Sequence, residues 1–316
     1  MDTYSVQKAV SRPSEAPRIN MIGPWLAGRF GKKMVKLSLP GGTTCPNRDG
    51  TCGTGGCLFC SAGGSGENAS DIDGQIALLS PKWKNAGYLA YFQSFTATYG
   101  PVEELREKFY GALADPRIEG IAIATRPDCL GDEVLDLLAE IASSHFLWVE
   151  LGLQTIHEET ARRINRGYPL SVYDEAMARL RALGIPVVTH LILGLPGETR
   201  EDMEASVRYA VRAGTWGLKL HLLNVVRGSR LAAEMPDYMP FDAPEEYISL
   251  VADLLEIIPP EVVIHRLSGD ARAEELIAPK WSYRKRLILN GIEAELKRRG
   301  TFQGAKCEDM DGKERR

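Results

Sequence analysis

Four of the six cysteines in this 316-residue chain lie in one short stretch that begins at Cys45 and ends at Cys60. The two cysteines between them are Cys52 and Cys57. Thiols this close together indicate a metal site, a disulfide or a redox pair. Structural disulfides are rare in reducing compartments, so a metal site or a catalytic role is favoured for a cytoplasmic protein.

The spacing of these cysteines leaves the kind of site open. Four thiolates can hold zinc, although zinc ribbons usually present two close pairs, and six residues separate Cys45 from Cys52. A redox pair needs only Cys57 and Cys60 and leaves Cys45 unexplained. Cysteines at uneven spacing can also hold an iron-sulfur cluster. Zinc and iron-sulfur therefore remain equal alternatives on spacing alone.

The cysteine loop follows a strand-like run, Met34–Leu39, which Pro40 stops. Strand-like runs that are apolar on both faces then alternate with helical patterns, which predicts a parallel sheet, open or curled into a barrel. The loop thus lies at a strand end, where enzymes of this class keep their active sites. The five further strands are predicted at residues 88–93, 121–124, 148–154, 186–193 and 217–223, and residues 262–265 indicate one more.

Composition is that of a folded globular protein, with 44% apolar and 25% charged residues. The net charge of −4 gives no overall bias toward nucleic acid. No apolar run is long enough for a membrane span and the first residues lack a signal peptide's apolar core, so we expect a cytoplasmic protein with no membrane partner. We predict a flexible arm at 1–18, a core domain at 19–230, a C-terminal extension at 231–304 and a disordered tail at 305–316.

Several motifs together resemble those of a known superfamily. The pattern Cys45-x11-Cys57-x2-Cys60 after a first strand resembles the radical S-adenosylmethionine (SAM) superfamily, with a longer first spacing than is common there. The stretches Glu150-Leu-Gly-Leu-Gln-Thr155 and His190-Leu-Ile-Leu-Gly-Leu-Pro-Gly-Glu198 are similar to those of a bacterial family related to the catalytic subunit of Elongator. The resemblance covers roughly residues 19 to 304.

This resemblance implies an α/β fold, a partial six-stranded (β/α) TIM-like barrel with a C-terminal helical extension. It also implies that Cys45, Cys57 and Cys60 each bind one iron of a [4Fe-4S] cluster, while the fourth iron is left for SAM. Cys52 lies outside this triad, and we interpret it as a spare thiol. Reductive cleavage of SAM would then give a 5′-deoxyadenosyl radical that abstracts hydrogen from the substrate.

The same resemblance suggests which residues contact SAM. Gln93 and Ser94 would hold its methionine part, Glu150 and Gln154 its ribose and amino-acid region, and Arg162 or Arg166 its carboxylate. Gly194 would let the adenine approach the backbone, and Asn224 and Val225 would face the adenine edge. Independently of the resemblance, a carboxylate in an apolar strand needs a partner, which singles out Glu150.

The expected substrate is a tRNA, modified at the wobble uridine, and the expected electron donor is a flavodoxin or ferredoxin. The alternatives are a radical SAM enzyme with a small-molecule substrate and a non-catalytic zinc-binding protein. His190, His221 and His265 lie in strand-like runs, where a core histidine with satisfied nitrogens is the usual explanation. His265, Arg266 and Asp270 also form a candidate cluster on the substrate side.

Overall fold

The predicted parallel sheet is present and holds one strand more than the six that the main pattern predicts. The computed structural model describes residues 17–61, 69–269 and 271–307. Within these residues the strands are β1 (Met34–Leu39), β2 (Gly87–Phe92), β3 (Ile118–Thr125), β4 (Phe146–Gln154), β5 (Val187–Leu193), β6 (Gly217–Leu222), β7 (Val225–Val226), β8 (Val263–Arg266) and β9 (Leu276–Ala278).

Seven of these strands form one parallel sheet in the order β1-β2-β3-β4-β5-β6-β8, which curls into a half-barrel. The seventh strand, β8, coincides with the further strand indicated at residues 262–265. The short strands β7 and β9 pair antiparallel beside the sheet. They have two and three residues, too few to show a strand periodicity in the sequence.

Helices follow most strands and cover the convex face of the sheet. They are α1 (Ile22–Phe30), α2 (Ile72–Leu79), α3 (Val102–Leu113), α4 (Asp132–Ser144), α5 (Glu158–Arg163), α6 (Leu170–Ala182), α7 (Arg200–Arg212), α8 (Arg230–Glu234), α9 (Pro244–Ile257) and α10 (Lys285–Arg299). Helix α10 begins after a 3-10 turn over Lys280–Tyr283, and Gly300, with a positive φ, is its C-cap. No helix of the described ranges is long and apolar enough to cross a membrane.

The main apolar core lies between the convex face of the sheet and the helices. Strand residues that point outward, such as Phe92, Ile123 and Val149, are fully buried against helix residues such as Phe109 and Leu138. Burial of this continuous apolar surface is the principal stabilising contribution to the fold. The alternate residues of each strand point to the concave side, which we call the lumen.

Helix α1 and an aromatic cluster close the amino-terminal end of the lumen. The ring of Trp25 lies 4.9 Å from Trp216 and 6.0 Å from Phe146, centroid to centroid. Trp148 is fully buried in the same cluster, and Leu26 packs beside it. The lumen therefore has a closed apolar floor, and its other end, at the carboxyl ends of the strands, carries the loops.

The two ends of the described chain meet beside β8. The Asn20 N–H donates to Gln303 Oε1 at 2.9 Å, and the Ile264 N–H donates to the backbone oxygen of Asn20 at 2.8 Å. Arg18 donates to the backbone oxygen of Thr301 at 2.8 Å. Residues 305–307 also pack here, while residues 1–16 and 308–316 of the predicted arm and tail lie outside the described residues.

Candidate active site

The cysteine loop begins just after β1 and is shaped by tight backbone turns. The Arg48 N–H donates to the backbone oxygen of Cys45 at 2.8 Å, and the Cys60 N–H donates to that of Cys57 at 3.1 Å. Cys45, Cys57 and Cys60 are half-buried, whereas Cys52 is exposed. The loop thus shields the three predicted cluster ligands and leaves the predicted bystander in solvent.

Two asparagines fasten this loop to the turn between α5 and α6. Asn47 Nδ2 donates to the backbone oxygen of Asn165 at 2.5 Å. In return Asn165 Nδ2 donates to the backbone oxygens of Gly56 at 2.8 Å and Thr54 at 3.2 Å. Asn165 has a positive φ of 54°, a conformation that asparagine tolerates better than most residues. The shape of the loop therefore depends on a distant part of the chain.

Polar and cationic groups surround the thiols. Asn47 Nδ2 points to Cys57 Sγ at 3.7 Å. The Cys57 thiol donates a hydrogen bond to Cys60, which lowers the pKa of Cys60, and the positive charge of Arg48 lowers it further. The same hydrogen bond and burial raise the pKa of Cys57, and the charge of Arg126 opposes that rise. The surroundings thus favour thiolate, the form that binds iron, at Cys60, whereas the pKa of Cys57 stays well above its usual value.

The three half-buried thiols of the cysteine loop are compatible with an iron-sulfur cluster. Among the described residues, no three His, Cys, Asp or Glu side chains are grouped closely enough to hold one metal ion. Around a cluster the sulfurs lie further apart than around one ion, because each cysteine binds a different iron and the loop wraps around the group. Three shielded thiols of one loop, with amide and guanidinium groups beside them, meet the requirement of a cluster.

The predicted SAM-contacting residues lie near the same edge, because parallel pairing brings the carboxyl ends of the strands together. Gln93 and Ser94 follow β2 directly, and Ser94 is buried. Gln154 ends β4 with a positive φ of 70°. Gly194 follows β5 and Asn224 follows β6. The structure brings these residues to one edge of the sheet, and their contacts with SAM stay predictions.

Three of the predicted SAM-contacting positions also serve the packing of the chain. Gly194 has a φ of 85°, and a Cβ there would lie 2.7 Å from the ring of Phe241. Asn224 accepts a hydrogen bond from Ser282 at 2.9 Å. Val225 is fully buried in a small apolar cluster beneath β7 and β9. The segment after β6 therefore joins the C-terminal region to the mouth of the lumen.

The two candidate arginines differ sharply. Arg162 is exposed on α5. Arg166 is buried and donates to the backbone oxygens of Thr155 at 2.6 Å, Tyr168 at 3.0 Å and Leu153 at 3.2 Å. Of the two, Arg162 is the side chain that remains accessible for a carboxylate, and Arg166 shapes the turn that carries Asn165.

Glu150 is the centre of a polar layer inside the lumen and lies four residues before the end of β4, which is about 13 Å at roughly 3.3 Å per residue. Its Oε2 accepts from Tyr91 at 2.7 Å, from His190 at 3.0 Å and from Lys219. Its Oε1 accepts from Trp148 at 3.1 Å and lies 3.7 Å from Lys36 Nζ. We define the polar layer as Lys36, Tyr91, Glu150, His190, Lys219 and His221.

Burial and charge shift the ionisation of this layer. Burial alone would raise the pKa of Glu150, but Lys219 and Lys36 hold it well below its usual range. Burial lowers the pKa of Lys219 to about 7, against the opposing pull of Glu150. Burial and the nearby Lys219 lower the pKa of His190 to about 4. The prediction that Glu150 has a partner is confirmed, since it has five.

Sequence reasoning overlooked the two lysines of the layer. Lys36 and Lys219 are charged residues within apolar strands, which is the property that singled out Glu150, so the same argument would have found them. The expectation for the histidines is right for His190 but wrong for His221 and His265. Nε2 of His221 and both ring nitrogens of His265 are buried without a hydrogen-bond partner in the described structure. Asp270 of the suggested cluster lies outside the described residues.

Comparisons with known proteins agree with this arrangement. The sequence pattern of the Radical SAM superfamily matches residues 44–210, and that of the Radical_SAM C-terminal domain matches residues 215–298. The protein YtqA of Bacillus subtilis is 44% identical over 296 residues, which are 91% of this chain and 92% of YtqA. The protein YhcC of Escherichia coli K12 is 40% identical over 83% of this chain and 87% of YhcC.

More distant similarity extends to Elongator proteins. Elongator complex protein 3 of Schizosaccharomyces pombe is 28% identical over 65% of this chain but only 37% of its own length. Among solved structures, the archaeal Elp3 of Methanocaldococcus infernus superposes with a TM-score of 0.61 at 19% identity, over 72% of this chain and 58% of that one. This second similarity shows a shared fold. The chain thus spans little more than half of the archaeal Elp3.

Proposed function

The chain belongs to the radical SAM superfamily and is a radical SAM enzyme, and we propose on that premise that it modifies a tRNA at the wobble uridine. SAM and an iron-sulfur cluster follow from the family. We further propose that the cluster is of the [4Fe-4S] type and is held by Cys45, Cys57 and Cys60. The observation that carries this assignment is the shielding of these three thiols in one loop at the end of β1, with Cys52 exposed.

The cluster, when bound, supplies the electron that cleaves SAM to methionine and a 5′-deoxyadenosyl radical. Residues of this chain have the remaining tasks. Asn47 and Arg48 favour thiolate sulfur and fix the loop. The aromatic floor closes the lumen below the polar layer, which keeps bulk water from that side. We propose that SAM is held at the mouth by Gln93, Ser94, Gln154, Arg162, Gly194, Asn224 and Val225. Glu150 lies deeper in the lumen, and its expected contact with SAM stays a prediction.

The tRNA substrate is supported by the similarity to Elongator proteins. That support is limited to the shared part, because this chain spans only 37% of the S. pombe protein. Basic side chains of α10, among them Arg286 and Lys297, could contact the RNA backbone together with the half-exposed ring of Tyr283. The electron donor is proposed to be a flavodoxin or ferredoxin.

The chemistry is tested by anaerobic purification followed by assays of iron, sulfide and 5′-deoxyadenosine. We expect a brown protein with about four irons per chain that cleaves SAM when reduced. Cys57→Ala should lose both the colour and SAM cleavage, whereas Cys52→Ala should keep them. A colourless protein with one zinc and no sulfide would contradict the cluster, and cleavage that survives in Cys57→Ala would contradict the ligand assignment.

The substrate is tested separately by mass spectrometry of tRNA nucleosides from a strain that lacks the gene. We expect loss of one modified uridine and recovery of it when the gene is restored. The Cys57→Ala gene should fail to restore it, while the Cys52→Ala gene should succeed. An unchanged set of nucleosides would favour a small-molecule substrate for the same radical chemistry.

A further inference from the structure

The polar layer carries more positive than negative charge. Two lysines, Lys36 and Lys219, approach one carboxylate, Glu150. Among the described residues, neither lysine forms an ion pair with any other acidic side chain. The nearby Arg266 has a partner of its own and is left out of this balance. With both lysines protonated, the layer holds about one excess positive charge. Burial opposes this state by lowering the pKa of both lysines, and a bound anion would stabilise it.

Glu150 cannot take up further donors easily, because both its oxygens are already engaged. The lysines, in contrast, keep hydrogens for other acceptors. An ammonium has three N–H donors. Lys219 uses two of them, one on Glu150 and one on the Tyr91 hydroxyl at 2.8 Å. Lys36 lies 4.2 Å above the Tyr91 ring and reaches Glu150 only at 3.7 Å. The ammonium groups of Lys36 and Lys219 therefore have N–H donors that another acceptor could use.

A histidine beside these lysines also has an unused nitrogen. His221 Nε2 is buried and has no hydrogen-bond partner within the described part of the chain. Its ring lies 5.1 Å from that of His190. A buried ring nitrogen without a partner is rare in folded proteins, so such an atom points to a ligand that satisfies it. It lies next to the excess charge and so indicates the same ligand.

The layer is open on one side. The side chain of Lys36 is 26% exposed and that of His190 is 17% exposed, whereas Glu150 and Lys219 beneath them are buried. Helix α1 and the aromatic floor close the lumen below. The partial exposure of Lys36 and His190 therefore leaves an approach for a ligand from the mouth of the lumen.

We propose that the polar layer binds a carboxylate of the reacting substrate, with Lys36 and Lys219 as its charge partners and His221 as a hydrogen-bond partner. A carboxylate is favoured over a phosphate because one negative charge balances the excess, whereas a phosphate monoester carries nearly two. The inference rests on the proposed radical function, since the carboxylate would anchor the molecule beneath the site of hydrogen abstraction. In a nucleic acid, only a carboxylate on the base itself could reach this depth.

The test is an NMR titration of protein labelled at its histidine rings, with acetate as the probe. The chain has five histidines, and His145 and His157 lie on helix ends outside the lumen, so they are internal controls. We expect acetate to shift the signals of His190 and His221 with saturation, and to leave those of His145 and His157 unchanged. Chloride at equal ionic strength should have no such effect, and phosphate should bind more weakly.

Substitutions of the charged residues in the layer should change the affinity for acetate, and a matched surface substitution should not. Lys36→Met should weaken acetate binding by about tenfold or more, because it removes an accessible charge partner. Lys32→Met removes the same charge from an exposed residue that pairs with Glu119, and it should leave binding unchanged. Glu150→Gln removes the competing carboxylate but also the charge that raises the pKa of Lys219, so binding should be stronger than in the unmodified protein at pH 6 and should weaken as pH rises. The double variant Glu150→Gln with Lys219→Met avoids an unpaired buried carboxylate and should weaken binding relative to Glu150→Gln alone.

Three results would overturn the proposal. The first is a shift of all five histidine signals or of none, and the second is unchanged affinity in Lys36→Met. The third is that SAM alone shifts His190 and His221 and blocks the acetate response, because the layer would then hold the carboxylate of SAM. The acetate titration does not depend on the tRNA assay. Failure of the carboxylate proposal can therefore be distinguished from failure of the tRNA proposal.

Discussion

Asn47 donates its side-chain amide to the backbone oxygen of Asn165, which lies far along the chain, and Asn165 donates its own amide back to the cysteine loop. This reciprocal pair joins the end of β1 to the turn after α5. These hydrogen bonds hold the cysteine loop, which contains Cys57 and Cys60, in one conformation. The pair is thus a positioning device for the cluster ligands, although neither asparagine belongs to the recognised cysteine pattern.

Replacement of Asn165 should loosen the loop and lower the iron content of the anaerobically purified protein. Asn165→Gly removes two hydrogen bonds, worth about 1 kcal/mol each, but keeps the positive φ accessible. Asn165→Ala removes the same bonds and adds about 1–2 kcal/mol of backbone strain. Iron per chain and the free energy of unfolding should fall in both variants, and further in the alanine variant. Equal values in Asn165→Ala and the unmodified protein would contradict this role.

The protein should lose stability in weak acid because of His190. Its pKa in the folded state is about 4, below the value of about 6.5 for an unfolded chain. As pH falls below 6.5 the unfolded state therefore takes up a proton first, and folding weakens by up to about 3 kcal/mol as pH approaches 4. Urea unfolding at pH 7 and pH 5 measures this loss. His190→Gln should reduce the difference between the two pH values, and His145→Gln should leave it unchanged.

The buried pair of Lys219 and Glu150 should show strong coupling. Lys219→Met leaves a buried carboxylate with fewer partners and should cost about 3–5 kcal/mol of folding free energy. Adding Glu150→Gln removes the uncompensated charge and should recover a large part of that loss. A double-mutant cycle by urea unfolding measures the coupling. Additive effects of the two substitutions would mean that the pair does not act as a unit.

Gly194 should be intolerant of a side chain for two separable reasons. Its φ of 85° is strained for any other residue, and a Cβ would lie 2.7 Å from Phe241. Gly228 has a similar φ of 77° but open space around its Cα. Gly228→Ala should therefore cost about 1 kcal/mol, and Gly194→Ala should cost about 1–3 kcal/mol more because of overpacking. Thermal unfolding of the two variants gives the comparison, and equal losses would exclude the steric contribution.

The sequence predicted those features that depend on local pattern. Strand β1 occupies the predicted residues, and the parallel sheet follows from the alternation of apolar runs with helices. The sequential strand order was implied only by the resemblance to a partial barrel. Glu150 was singled out by the cost of burying a charge, and its partners are present. Such features are visible in sequence because periodicity and burial constrain neighbouring residues directly.

Features that depend on contacts between distant segments were not predictable in the same way. The pairing of Asn47 with Asn165 has no local pattern, since a polar residue in a loop is ordinary. Strands β7 and β9 are too short to show alternation. Lys36 and Lys219 are a different case. Their position in apolar strands is visible in the sequence, but the argument that a buried charge needs a partner was applied only to Glu150.

The contacts of Asn20 with Gln303 and Ile264 have a consequence for synthesis on the ribosome. Most of the parallel sheet can pair while later residues are still being translated, since successive strands are neighbours. Its last strand can bond to the backbone of Asn20 as soon as Ile264 has left the exit tunnel, whereas the Asn20 N–H gains its partner only when Gln303 has followed. A nascent chain stalled before residue 303 should thus hold a formed sheet whose first segment is bonded to β8 but not yet to the C-terminal segment.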